Sequence, residues 1–227
     1  MKVAVLRFPG SNCDQDALWS LREDIGVQAD YVWQDERSLQ GFDAVFVPGG
    51  FSFGDYLRCG AIAARAPIMD EVRRFANEGR PVIGVCNGFQ VLCEAGLLPG
   101  ALLLNASQKF VCDDVRLKAI NLDSIWTRGV DQLLRIPIAH GEGRYVADAD
   151  TLKRLWDHHL VAFQYVNAGG DPTEAANPNG SSDNIAGVLN AGGNVLGLMP
   201  HPERATKAKL GSTDGLMILR ALALVRA

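Results

Sequence analysis

The sequence predicts an α/β fold in which a mostly parallel, doubly wound sheet is flanked by helices. Continuous apolar runs at residues 2–8, 42–47 and 81–85 are typical of strands that are buried on both faces. Segments whose apolar residues recur at helical spacing lie between these runs. Because strands that alternate with helices join through right-handed crossovers, we expect helices on both faces of the sheet.

Seven elements are predicted in the first half of the chain. The first helix follows a cap at Ser11 or Asn12 and ends at Gly26, since glycine readily adopts the left-handed conformation that terminates a helix. Pro67 forces a kink or a restart in the second helix. The predicted strands are 2–8, 27–33, 42–47 and 81–85, and the predicted helices are 13–25, 61–78 and 89–95.

The second half of the chain is predicted to contain more strands than helices. A polar segment at 167–183 precedes two apolar runs that flank the turn at 191–193, and we expect them to form a C-terminal β-hairpin excursion. Thr151 is a candidate helix cap. The predicted strands are 101–104, 115–121, 133–139, 185–190 and 194–199, and the predicted helices are 151–158 and 214–224.

Composition favours a single globular domain over residues 1–227, with hydrophobic residues at 48% and charged residues at 21%. The net charge of -4 gives no basic bias toward nucleic acid or an anionic membrane. No transmembrane span is expected, because polar residues and a turn interrupt the most apolar stretch, and no secretory signal is expected, because no small-residue cleavage site follows the short run at 1–8. These two expectations predict a cytoplasmic location. Five scattered cysteines without CxxC spacing predict free thiols and no thiolate metal site.

The sequence GVCNG at residues 84–88 has the G-x-nucleophile-x-G form of a nucleophile elbow. It lies between an apolar strand and a helix, which is the context that such a turn requires. Cys86 is therefore a candidate nucleophile, and the helix N-terminus would favour its thiolate form. Taken alone, the pattern also fits a buried cysteine in a strand-to-helix turn.

The sequence PHPE at residues 200–203 supplies a candidate base. A proline disfavours helix at the residue before it, so His201 is predicted to be extended with Glu203 on the same side. One imidazole nitrogen could then bond to Glu203 while the other faces Cys86, as in a catalytic triad. Taken alone, this motif would describe a solvated surface turn.

Cleavage of an amide also needs donors for the developing oxyanion. The backbone N–H of Asn87, next to the nucleophile, and the glycines at 49–50 are candidates. The glycine turns match neither GxGxxG nor GxxxxGK[ST], so no nucleotide-binding loop is indicated.

Together these residues resemble the class I glutamine amidotransferases, in which a cysteine elbow acts with a His-x-Glu near the carboxyl end. Cys86, His201 and Glu203 match this pattern one for one. Over almost the whole chain, the sequence is similar to the glutaminase subunits of phosphoribosylformylglycinamidine synthases. The segments that carry this similarity are PGGFSFGDYLR (48–58), GVCNGFQ (84–90), HGEGR (140–144), NPNGS (177–181) and MPHPER (199–204).

The resemblance implies a flavodoxin-like fold and hydrolysis of glutamine to glutamate and ammonia through a thioester on Cys86. It implies Gly50 as an oxyanion donor and Gln90, Asn105 and Phe110 as substrate contacts. It implies no metal and no cofactor in this chain. Ammonia would pass to a separate PurL-type synthetase subunit, which uses ATP and Mg²⁺ to make formylglycinamidine ribonucleotide in purine biosynthesis, together with a small PurS-type subunit.

Other functions stay open at this point. The chain could be a glutaminase subunit that serves a different acceptor, or an α/β-hydrolase esterase. It could also be a DJ-1-like sensor or binding module, which needs the cysteine elbow but not the His-x-Glu.

Overall fold

Eleven strands and six helices occur in residues 1–224, the part of the chain that the structure, a computed structural model, describes. The strands are β1 (Lys2–Arg7), β2 (Gln28–Trp33), β3 (Ala44–Val47), β4 (Val82–Val85), β5 (Ala101–Leu103), β6 (Val111–Ala119), β7 (Leu134–His140), β8 (Arg144–Val146), β9 (Val161–Val166), β10 (Ile185–Leu189) and β11 (Val195–Leu198). The helices are α1 (Asp14–Trp19), α2 (Ile68–Asn77), α3 (Asn87–Glu94), α4 (Ala149–Asp157), α5 (Gly215–Leu219) and α6 (Ala221–Leu224).

Nine of these strands form one mixed sheet in the order β2-β1-β3-β4-β11-β10-β9-β6-β7. The five strands from β2 to β11 are mutually parallel, and the remaining four continue the sheet in antiparallel fashion. Strands β5 and β8 form a separate antiparallel pair. The predicted fold class is thereby confirmed.

The C-terminal hairpin differs from its prediction, because it lies inside the sheet rather than outside it. Strand β11 pairs in parallel with β4, and β10 continues the sheet on its other side. Every residue of both strands is buried. Strands without a polar face gain most when both faces are covered, so an excursion into solvent would be unfavourable.

The helices begin and end largely where local chemistry allows. Gly26, with a φ of 77°, ends the first helical segment as predicted, although its last turns (Ser20–Ile25) are a π-helix. Pro67 restarts the second helix, because α2 begins directly after it. Two predicted caps are wrong: α1 has Cys13 at its N-cap without a side-chain bond, and Asp148 rather than Thr151 caps α4 by accepting the Thr151 N–H at 2.7 Å.

Strand β9 was missed by the sequence prediction, and β6 begins four residues before its predicted start at 115. All six residues of β9 are buried between β10 and β6. The predicted polar loop at 167–183 begins directly after this strand. None of the helices among the described residues has the length and apolar character needed to span a bilayer.

Glycines on both sides of the contact let helix α3 pack close to the centre of the sheet. A methyl group added at Gly197 of β11 would lie 2.1 Å from Cδ2 of Phe89. One added at Gly88 would lie 1.9 Å from the carbonyl oxygen of Val47, at the end of β3. Both distances are far below van der Waals contact, so the position of the elbow requires glycine at 88 and 197.

Asn194 links the start of β11 to the segment before β4. Its buried amide donates to the carbonyls of Ala76 and Arg80, each at 2.8 Å. We expect Asn194→Ala to lower the free energy of unfolding by about 1–3 kcal/mol, because both hydrogen bonds of the buried amide are lost. Urea unfolding measures this loss, and the exposed Gln40→Ala is the matched control. Equal stability of both variants would show that water replaces the amide at no cost.

Candidate active site

Cys86 occupies a strained turn between β4 and α3. Its φ of 51° and ψ of -108° lie in a region that costs a non-glycine residue energy and is common at functional sites. Its N–H donates to the carbonyl oxygen of Leu198 at 2.8 Å, which ties the turn to the end of β11. This sharp conformation is the one that the GVCNG sequence predicts.

His201 is brought to Cys86 by the pairing of neighbouring parallel strands. Leu198 and Val85 are register partners at the carboxyl ends of β11 and β4. The chain reaches His201 three residues after Leu198, and the His201 N–H donates to the carbonyl oxygen of Pro137 at 2.9 Å. Ligand sites in open α/β sheets form at this edge, where parallel strands end.

Glu203 accepts from His201, but through a turn rather than the extended geometry predicted. The distance from Nδ1 to Oε1 is 2.7 Å, and both side chains are fully buried. Residues 202–204 form a 3-10 turn that curls the carboxylate back toward the ring. The other ring nitrogen, Nε2, has no hydrogen-bond partner among the described residues.

The charge on His201 is favoured by its surroundings. Burial opposes protonation, but the Glu203 carboxylate and the Cys86 and Cys13 thiols outweigh it and raise the pKa of His201 well above its ordinary value. His201 and Cys86 also flank one glycine: a methyl group on Gly49 would lie 2.8 Å from Cε1 of His201 and 3.3 Å from Cβ of Cys86. An imidazolium beside a buried thiol can act as the acid for a leaving amine.

A cavity of about 210 Å³ opens onto these side chains. It is smaller than the roughly 300–1,000 Å³ typical of drug-sized ligand sites and suits a small molecule. Of the predicted residues, its lining contains Cys86, His201, Gly50 and Phe110. A larger groove of about 1030 Å³ lies at the opposite ends of β4 and β11, beside Gly79 and Asn194.

Two backbone N–H groups remain candidates for the oxyanion. Asn87 is the first residue of α3, where an N–H has no partner within the helix. Gly50, with a φ of 143°, lines the cavity. Two backbone hydrogen bonds hold its loop: the Phe51 N–H donates to the carbonyl oxygen of Gly10, and the Cys13 N–H donates to that of Gly49. The Asn87 side chain accepts from the Ser52 N–H at 3.2 Å and so links the start of α3 to the loop that follows Gly50.

Gln90 and Asn105 are buried away from the cavity lining. The Gln90 amide accepts from Asn87 at 2.8 Å and donates to the carbonyl of Glu142 at 2.6 Å. Asn105 donates to the carbonyls of Lys109 and His140. These bonds hold the segments around the cavity, so direct contact with a substrate stays a prediction for both.

His140 lies near the site in a neutral form. Its Nδ1 lies 3.0 Å from Oδ1 of Asn105, and burial together with the charge on His201 lowers its pKa to about 4. This contact gives His140 a hydrogen-bonding role at the end of β7.

The sequence prediction missed Cys13 and Arg204, which also line the cavity. Arg204 Nη2 donates to Cys13 Sγ at 3.2 Å, while Arg204 Nε pairs with Asp16 at 2.9 Å. Cys13 follows β1, another parallel strand that ends at this edge of the sheet. That shared edge was the signal that could have identified it.

Comparison with known proteins agrees with this geometry. A model of the CobB/CobQ-like glutamine amidotransferase domain matches residues 1–213, and the chain belongs to the glutamine amidotransferase family. Within this family it is similar to the phosphoribosylformylglycinamidine synthase subunit PurQ of Thermus thermophilus, with 56% identity over 218 residues and 95% of each chain covered. The PurQ of Methanosarcina acetivorans is 52% identical, over 98% of this chain and 97% of the relative.

A solved structure shares both fold and sequence. The matching chain in the structure of PurLQS from Thermotoga maritima is 43% identical and superimposes with a TM-score of 0.86, over 98% of this chain and 97% of that chain. This agreement confirms the class I glutamine amidotransferase fold.

Proposed function

We propose that the chain is the glutaminase subunit of a phosphoribosylformylglycinamidine synthase and that Cys86, His201 and Glu203 are its catalytic residues. The observation that carries the proposal is the convergence of a strained cysteine and a glutamate-bound histidine on one small cavity. Similarity to PurQ subunits over nearly the full length supports the specific assignment. The buried His201–Glu203 pair favours a glutaminase over a DJ-1-like sensor, which has no need of it.

The proposed reaction begins with attack of Cys86 Sγ on the side-chain amide carbon of glutamine. Backbone N–H groups of Asn87 and Gly50 would stabilise the oxyanion, and the His201 imidazolium would donate its proton to the departing nitrogen, which leaves as ammonia. Neutral His201 would then take a proton from water, whose oxygen attacks the thioester. Collapse of this second intermediate releases glutamate and restores the thiolate.

Glu203 would hold the imidazole in one orientation and stabilise its protonated form. Phe110, half exposed at the cavity, is the proposed contact for the aliphatic part of the substrate. Gln90 and Asn105 would contribute through the segments that they hold.

A glutamine analogue with a chloroketone in place of the amide tests this assignment. We expect it to alkylate Cys86 alone, as mapped by mass spectrometry, and excess glutamine to prevent labelling. Labelling of Cys13 instead, or labelling that glutamine does not slow, would contradict the assignment.

We further propose that the ammonia serves a PurL-type synthetase, which binds ATP and Mg²⁺, in a cytoplasmic complex that includes a PurS-type subunit. A free glutaminase would waste glutamine, so we expect low turnover by the isolated chain and strong activation when both subunits are added. Full turnover by the isolated chain would contradict this coupling.

The loop after Gly50 is the proposed docking surface for the synthetase. Tyr56 and Leu57 are 72% and 82% exposed, and Leu57 has a φ of 73°, so the loop is held in a costly conformation with apolar side chains in solvent. The loop leads directly from Gly50, which lines the cavity. A partner bound there would lie beside the source of ammonia.

We expect Leu57→Asp to weaken binding of the synthetase by about tenfold or more, because a charge replaces an apolar contact. Leu122→Asp is the matched control: Leu122 is 54% exposed but follows β6, whose other end lies beside Phe110 and the cavity. Surface plasmon resonance with the isolated synthetase measures both affinities. Equal affinities for the two variants would exclude this surface.

A further inference from the structure

Cys13 lies in the same cavity as Cys86, and the proposed mechanism gives it no role. A methyl group built on Gly49 would lie 3.1 Å from Sγ of Cys13, 3.3 Å from Cβ of Cys86 and 2.8 Å from Cε1 of His201. The Cys13 sulfur, the Cβ of Cys86 and the His201 ring therefore surround one point beside this glycine. All three side chains are buried, and all three line the 210 Å³ cavity.

His201 is arranged as metal-binding histidines are. Its Nδ1 is bonded to the Glu203 carboxylate, which is the common outer partner of a histidine that binds a metal through its other nitrogen. Its Nε2 is buried and has no hydrogen-bond partner within residues 1–224. A ring nitrogen of His201, Sγ of Cys13 and a carboxylate oxygen of Glu203 lie within 4.8 Å of one another.

The sulfur of Cys13 has two hydrogen-bond partners, Arg204 and Asn12. Arg204 donates to it at 3.2 Å, and Asp16 fixes Arg204 from the other side. The thiol in turn donates to Oδ1 of Asn12 at 3.1 Å. A sulfur held this way loses little freedom when it binds a ligand.

We propose that Cys13, Cys86 and His201 form a binding site for Zn²⁺ and that its occupancy blocks the glutaminase reaction. Sulfur and imidazole ligands together select a soft divalent cation such as Zn²⁺ over Mg²⁺ or Ca²⁺. The ligand atoms of Cys13 and His201 already lie within 4.8 Å of each other, and Cys86 would have to turn its sulfur toward them to complete bonds of about 2.3 Å to sulfur and 2.0 Å to nitrogen. The fourth position would face the cavity and hold water.

Blocking follows from the electron pairs that the metal would use. Zn²⁺ would bind the sulfur lone pair with which Cys86 attacks glutamine. It would also bind the lone pair on Nε2 of His201, which His201 needs in order to carry a proton. This inhibitory effect rests on the proposed function, but the binding of the metal does not. The two can therefore be tested separately.

The test uses the full, reduced, metal-free chain titrated with Co²⁺, which replaces Zn²⁺ and shows a thiolate-to-metal charge-transfer absorption. We expect this absorption in the wild type and its displacement by Zn²⁺. Cys13→Ala should weaken Zn²⁺ binding at least about 100-fold, more than loss of an outer partner does. Cys112→Ala, at the exposed cysteine of β6, is the matched control and should bind as the wild type does.

Binding by Cys13→Ala that equals the wild type, or loss of the signal in Cys112→Ala, would overturn the proposal. A second measurement needs no substitution: Zn²⁺ should protect both Cys13 and Cys86 of the wild type from alkylation while Cys112 still reacts. Protection of Cys86 alone would also overturn it. Because neither readout involves glutamine, a failed glutaminase assignment leaves the metal test valid.

Discussion

Replacement of Cys86 by alanine is expected to reduce glutamine hydrolysis by at least about 10⁴-fold, because the proposed thioester forms on the Cys86 sulfur. The φ of 51° at this position would still strain an alanine, so the turn should keep its backbone shape only through its packing. Ammonia release, measured with the synthetase present, gives the rate. Circular dichroism and thermal unfolding show whether the fold is kept.

Cys112→Ser is the control for this experiment, because Cys112 is an exposed cysteine outside the cavity lining. It should keep the wild-type rate. A Cys86→Ala protein that is folded and still releases ammonia within about tenfold of the wild type would exclude Cys86 as the nucleophile.

Glu203→Gln is expected to lower turnover by about 10²- to 10⁴-fold and to change its pH dependence. The carboxylate raises the pKa of His201 against the opposing effect of burial. Without it, burial remains and the pKa falls, so the imidazolium that protonates the departing nitrogen loses its proton at lower pH. The alkaline limb of the profile of kcat/KM against pH should therefore move to lower pH.

Binding of the glutamine analogue separates this positioning role from a structural one. In a Glu203→Gln protein that unfolds, excess glutamine would no longer slow alkylation of Cys86, whereas a positioning role leaves the site formed and the protection by glutamine intact. A lower rate with an unmoved alkaline limb would mean that Glu203 does not set the pKa of His201.

The two motifs that supply Cys86, His201 and Glu203 could be identified from sequence because each carries a local signal. The glycines around Cys86 and the prolines around His201 restrict the backbone to few conformations, and both motifs follow apolar strands. To predict that the two motifs lie together, the resemblance to a known family was also needed, since no local rule predicts that β11 pairs with β4. The turn that presents Glu203 was not predicted, because Pro202 restricts the backbone of His201 before it but not that of the residues after it.

The parts that sequence analysis missed depend on partners distant in the chain. Strand β9 is apolar at nearly every position, and a run of this kind shows no period that distinguishes a strand from a buried helix. Cys13 lacks any motif, and its proximity to His201 arises only because β1 and β11 end at one edge of the sheet. Asn105 and Gln90 donate hydrogen bonds to the carbonyls of His140 and Glu142, which are distant in the chain and carry no sequence signal.

Because β11 pairs with β4, the site can form only late in the synthesis of each chain. The segment that carries the elbow emerges from the ribosome well before the one that carries the histidine, and five strands of the sheet lie between them in the chain. A nascent or prematurely ended polypeptide would hold Cys86 without His201 beside it. Glutamine consumption is thereby confined to chains whose synthesis has passed the last strand.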